Sequence, residues 1–307
     1  MLISNNSLSF SFDEIHPEAK FSLDFQRTLR IPDDDKKYKL PPGLGKFPIK
    51  DINGTLIIPM YQSEALWINF MSDYGQCVLY PFAIRIATGN VSAITGELFS
   101  EELKENDYVV IPDQPWLDGF VVGDGIIRQF VAEPLGSGVS VEKQITGEEN
   151  VGGIQFEIIP IKCEVYNKIK DLISQGDQGD QGHQGSQGDM SLAAGGQMEQ
   201  QVFKDKYGLD VWDIAHTEKV SVRIVNSAMW FELTGTKPPI SPITAKEYTD
   251  RGYPWFDYYE EKPALQPTQK MSEIKSVNNM PGGTVLIPDN DSVDESKQVY
   301  DLSPHPG

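Results

Sequence analysis

From Lys20 to Ile31 the chain alternates: Phe21, Leu23, Phe25, Leu29 and Ile31 fall on one face, and Ser22, Asp24, Gln26, Thr28 and Arg30 on the other. A period of two places successive side chains on opposite sides of an extended backbone, so this is a strand with one buried face. Arg27 is the single break in the apolar row. The same grammar runs through Met60–Gln155, where short apolar runs are separated by Gly, Pro and Asp turns. Trp, Gln, Asp and Arg sit beside those turns, the pattern of a compact β-domain with decorated loops.

Further strands are expected at Phe82–Ala87, Tyr108–Ile111, Ile126–Val131, Val139–Ile145 and Ile154–Ile159. The segments Thr88–Asn90, Thr95–Gly96, Asp118–Gly119, Gly136–Gly138 and Gly152–Gly153 are turn signals between them. Leu40–Gly45, with two prolines and two glycines, is an ordered loop or arm, because Pro removes donors and Gly permits positive φ. Ser100 can cap a short helix over Glu101–Asn106. Tyr61–Glu64 followed by Ala65, Leu66, Trp67 and Phe70 begins a buried strand or helix, with Glu64 available to Arg85 or Arg128.

The fold class is therefore mainly β of the α+β kind: a β-sandwich or open barrel over residues 1–173, with a smaller mixed lobe after it. Between them, Ser174–Asp189 carries Gly at every third position but no Pro. Five triplets without Pro are too few for a collagen-like stalk, and the composition is that of a polar linker. In the expected α+β lobe over 190–259, Gln197–Phe203 and Val220–Val225 read as strands. A helical turn follows over Asn226–Gly235, with Met229, Trp230 and Leu233 toward the core. Thr244 and Glu247 form a capping box that starts a helix over Ala245–Arg251, and Gly252 and Pro254 end it. Tyr253, Trp255, Phe256, Tyr258 and Tyr259 read as packing against the first lobe. Residues 260–307 are polar, acidic and Pro-rich, and read as largely disordered, with a docking segment around Ile274–Val277.

A net charge of -19 repels phosphate backbones and anionic lipid surfaces, so nucleic acid is not an expected partner. No apolar run approaches the ~18 residues that a spanning helix needs. The N-terminus has neither a basic nor an apolar leader region. Cys77 and Cys163 are far apart and flank apolar segments, which suits two buried free thiols. Together these features place the protein in the cytoplasm as an expectation.

No motif assigns an activity. Gly43–Lys46 lacks the glycine spacing and Ser/Thr of a phosphate loop, and Gly123–Gly125 lacks the third glycine of a dinucleotide turn. Histidines 16, 183, 216 and 305 are scattered, and Asp289, Asp291 and Asp294 lack the glycine and terminal Glu of a calcium loop. No metal, cofactor or catalytic residue is therefore expected. The one constellation worth testing is Asp113, Gln114, Trp116 and Asp118 on a single loop, with Arg128 and Gln129 from the next strand. In a site, Trp116 is a platform, Arg128 a clamp for a carboxylate, and Asp113 or Asp118 a base or hydrogen-bond acceptor. The competing reading is a turn in which Trp116 plugs the end of the sandwich and Arg128 pairs an aspartate.

The words LPPGLGKFPI, PMYQSEALWINF, PDQPWLDGF, IRQFVAEPLGSGVSVEKQITGEENVGGIQ and LAAGGQMEQQVFKDKYGLDVWD resemble a family of uncharacterised bacterial proteins over roughly Arg27–Tyr259. Relatives in that family are sometimes labelled integral membrane proteins, a label the hydropathy of this chain argues against. The resemblance implies no activity and no site residue. The expected function is a soluble, non-catalytic binding or structural protein for an unknown protein or small molecule, with self-association open. The alternative is a hydrolase or transferase using Asp113, Asp118 and Arg128.

Overall fold

The computed structural model describes residues 1–34, 36–72, 79–100, 102–173, 190–238, 241–258, 262–281, 283 and 299–303. The expected Gly-rich linker over 174–189, and with it His183, lies outside the described residues, as does Cys77. Cys163 is a free, half-buried thiol.

The chain is mainly β. Ten strands form the main path of one large sheet: β1 (Leu2–Ser4), β2 (Ser7–Ser11), β3 (Lys20–Thr28), β4 (Ala65–Ser72), β5 (Phe82–Thr88), β6 (Val109–Ile111), β7 (Ile126–Pro134), β8 (Ile154–Pro160), β9 (Met190–Glu199) and β10 (Glu218–Val225). Their spatial order is β1-β2-β3-β4-β7-β9-β10-β8-β5-β6, with every step antiparallel. The sheet is not a closed barrel. Instead its two halves face each other: Phe21 and Phe25 of β3 meet Phe82 of β5 and Phe156 of β8, at ring separations of 5.4 and 5.9 Å. β9 and β10, where the halves join, share a single paired position, Met190 with Ile224. Stacking two apolar faces in this way removes both from water and builds one core from strands distant in sequence.

The strands after the Gly-rich segment complete this sheet: β9 lies along β7 from Ile126/Glu199 to Pro134/Met190, and β10 lies beside β8. Elements expected in a smaller lobe thus occupy the middle of the sheet. β9 also begins at Met190, seven residues before the expected strand, and stops at Glu199. The signal was obscured by Leu192–Gly196, where small residues give no alternation of size.

Two local expectations are overturned. Val139–Ile145 is not a strand; helix α1 (Val141–Thr146) starts at Ser140, whose hydroxyl accepts from Lys143 N, and ends at Gly147 with φ 79. Cap and stop outweigh the weak alternation of the valines. Residues 102–106 are not helical. Ser100 donates to Glu102 O instead of capping, its own carbonyl accepts from Arg85, and Asn106 turns the chain at φ 63. That turn delivers Asp107 to Arg85, whose guanidinium also binds Glu157.

The later helices follow their caps. Helix α2 (Cys163–Ile173) leads to the Gly-rich segment, α3 (Ser227–Thr234) is capped by Asn226, and α4 (Ala245–Asp250) starts on the expected Thr244/Glu247 box. On α3, Trp230 is buried, but Leu233 points to solvent rather than to the core. Within the C-terminal segment, residues 262–281 are described and include the expected docking segment around Ile274–Val277. α5 (Gln269–Ser272) is capped by Thr268, and Leu265, Met271, Ile274 and Val277 are buried. Four apolar anchors suffice to hold a polar strap against the sheet. Trp255 is buried against Tyr248, and Trp255–Asp257 pairs with Val299–Asp301 in a small parallel sheet. Among the described residues no helix is long and apolar enough to cross a membrane.

Candidate functional site

The polar groups of the Asp113–Gly119 loop are held by residues from several other segments. The Asp113 carboxylate binds Lys206 at 2.6 Å and Lys262 at 3.4 Å. The Gln114 amide is a strap: its Nε2 donates to Trp116 O, and its Oε1 accepts from Phe203 N at 3.1 Å. Asp118 is buried; it accepts from Gln200 Nε2 at 2.7 Å, and its own N–H donates to Gln200 Oε1. Burial pushes the Asp118 carboxyl up to about 7, against hydrogen bonds from Gln200 and the Trp116 side chain. Arg128 donates to Gly195 O at 3.2 Å. Gln129, fully buried, holds the backbone of Leu29 and Ile31. Asp113, Asp118 and Arg128 each have a separate partner in the fold. Each is engaged elsewhere, and the two glutamines act as backbone clamps.

Glu64 pairs with Arg27, not with Arg85 or Arg128. The contact is 2.5 Å between two groups that are both buried. Burial pushes Glu64 up to about 7, and the opposing attraction of Arg27 does not restore it to the carboxylate range. Arg27, the apparent flaw in the alternation of β3, is thus a core-facing cation matched by an acid from the turn before β4. Phe47 lies against its guanidinium, 5.6 Å from ring centre to Cζ.

A different set of residues comes together on the outer face of β3 and β4. In β3 the odd positions enter the core, so Asp24 and Gln26 point outward. In β4 the outward residues are Trp67 and Asn69, and register places Asp24 opposite Asn69 and Gln26 opposite Trp67. Trp116 pairs with Asn69 from the far side. Lys46 arrives on a segment that bridges Gln26, and Ser7 arrives from β2. Asp24 is the hub. It accepts from Gln26 Nε2 at 2.5 Å and lies 3.3 Å from Lys46 Nζ. Ser7 and Asn69 each reach it at 3.4 Å, and Lys46 donates to Ser7 Oγ at 2.8 Å. Asp24, Gln26, Lys46, Ser7 and Asn69 are all buried.

Two atoms of this cluster have no hydrogen-bond partner among the described residues: Gln26 Oε1, an acceptor, and Trp67 Nε1, a donor. The rings beside them are half-buried rather than covered. Trp67 and Trp116 meet at 67° with centres 6.5 Å apart, and Tyr258 packs on Trp116 at 5.0 Å. Of the residues singled out in the sequence, Trp116 belongs here, with Asp118 bonded to it; Asp113, Gln114, Arg128 and Gln129 serve other contacts. Asp24, Gln26, Lys46 and Asn69 carry no motif. Their only signal is that polar residues occupy the outward row of a strand whose outward face is covered.

Among the described residues no three His, Cys, Asp or Glu side chains are grouped to hold a metal ion. The chain matches no protein-family model, and comparison with curated proteins and with solved structures gives no match.

Proposed function

We propose that this is a soluble, cytoplasmic binding protein that performs no chemistry of its own and takes a small molecule on the outer face of β3 and β4. The observation that supports this most is the directed polar cluster around Asp24 beside two half-buried indoles, Trp67 and Trp116. The hydrolase or transferase alternative has weaker support, because its acids and its arginine are separately engaged. Native mass spectrometry of the gently purified full chain tests the reading. A bound small molecule is expected on the wild type and on Asp113→Asn and Arg128→Lys. Its loss is expected from Gln26→Leu. Loss from Asp113→Asn or Arg128→Lys with Gln26→Leu still loaded returns the site to the loop.

A further inference from the structure

We propose that the open edge of β1 pairs with β1 of a second copy of this chain, antiparallel and about a twofold axis through Ile3. This surface is separate from the small-molecule face and does not depend on it. Among the described residues β1 pairs with β2 alone, so one side of the strand is unoccupied. At the other end of the main path β6 is fully buried, which leaves β1 as the exposed end of the sheet.

The hairpin fixes which backbone groups face outward. Asn5 and Asn6 take positive φ, 48 and 57, in a two-residue turn whose twist suits paired strands. Ser4 and Ser7 close that turn, so their backbone groups point at each other. Ile3, the next residue back, therefore turns its N–H and C=O away from β2. One donor and one acceptor on one residue are self-complementary: two copies related by a twofold through Ile3 satisfy each other with two hydrogen bonds.

The side chains agree with this register. Phe70, Leu23, Leu8 and Ile3 form one row across β4, β3, β2 and β1. The first three are buried, and Ile3 is 37% exposed where the row reaches the edge. Ile3 of the second copy continues the row across the axis and takes that apolar surface out of water.

Charge selects the occupant. A net charge of -19 repels a second copy over most of the surface. Met1–Phe12 carries no charged side chain, although 23% of the chain is charged. A twofold contact sets each group near its own kind, so acidic copies can meet only where carboxylates are absent. The same lack leaves a basic partner nothing to pair with here. Edge strands are commonly blocked by Lys, Pro or a bulge, and β1 has none of these. Three residues bury little area, so the dimer is weak and concentration-dependent.

The test is sedimentation velocity of the full chain over a range of concentrations, for the wild type, Ile3→Glu and Ile3→Lys. The wild type is expected to pass from monomer to dimer, and each charged variant to stay monomeric. An equimolar mixture of the two variants is expected to dimerise, because residue 3 meets residue 3 across the axis. A wild type that is monomeric throughout would overturn the proposal, as would a dimer that persists in both variants. A mixture that stays monomeric would overturn the twofold through Ile3. Hydrogen exchange of the wild type gives a reading that needs no variant: the Ile3 amide should be protected only at concentrations where the dimer is present. An Ile3 amide that exchanges freely in the dimer would equally overturn the pairing.

Discussion

From Leu23 to Thr28 the two faces of β3 are both buried, and they are built on different principles. On the inner face Phe21, Leu23 and Phe25 meet the facing half of the sheet through apolar contact, where one oily side chain can partly replace another. On the outer face Asp24 and Gln26 are equally hidden, and each depends on named partners in defined directions. Burial alone therefore does not separate core from site on this strand. The kind of contact does, because the outer face is held by directed polar pairs centred on Asp24.

The largest expected effects probe the two faces directly. Phe25→Ala removes a fully buried ring and is expected to destabilise the fold by about 3–5 kcal/mol in equilibrium denaturation. Asp24→Leu leaves the Lys46 ammonium buried without its carboxylate and is expected to cost a similar amount, about 3–5 kcal/mol. The faces then part: adding Lys46→Met to Asp24→Leu should recover most of that loss. A double variant no more stable than Asp24→Leu would show that the outer cluster is held by something other than this pair.

The pH dependence sharpens the comparison at the edge of the outer face. Asp118 has an ordinary value of 3.8 and titrates at about 7 in the fold, chiefly because it is buried. Between those values the folded protein holds a proton that the unfolded chain has released. The group's contribution to stability is thus full below about pH 4 and is lost as pH rises through about 7. Asp118→Asn should flatten the stability profile over this window. At pH 8 it should be more stable than the wild type by about 1–3 kcal/mol, measured by urea denaturation at several pH values. A variant with an unchanged profile would remove Asp118 as its source.

Smaller effects belong to the loop. Trp116 is half-buried, so Trp116→Ala is expected to cost about 1–2 kcal/mol, less than a true plug of the sandwich end would. Asp113→Asn, which loosens contacts to two partly exposed lysines, should cost under about 1 kcal/mol by the same assay.

How far the sequence could be read follows from the range of each signal. The alternation of β3, the capping box of α4 and the Gly-rich break are local, and local chemistry is visible in a single chain. The mainly β class followed from them. The order of the sheet was not legible, because β9 and β10 enter its middle from far along the chain and Leu192–Gly196 hides the start of β9. The site was half legible. Trp116 stands out as an aromatic on a turn, but Asp24, Gln26, Lys46 and Ser7 come from four separate segments and meet only through strand register. Arg27 looked like a defect until Glu64 was placed beside it.

The central claim is that the outer face of β3 and β4 binds a small molecule beside the half-buried rings of Trp67 and Trp116. The most direct measurement is a nitrogen–proton correlation spectrum of the five tryptophan indoles, assigned by single Trp→Phe variants and titrated with the molecule that native mass spectrometry finds on the protein. Trp212 is the internal control, since its indole already donates to Asp205 at 3.1 Å. A saturable shift of the Trp67 indole proton, with Trp212 unmoved, is the predicted result. A Trp67 signal that stays fixed at saturating ligand, or moves no more than that of Trp212, would contradict the account.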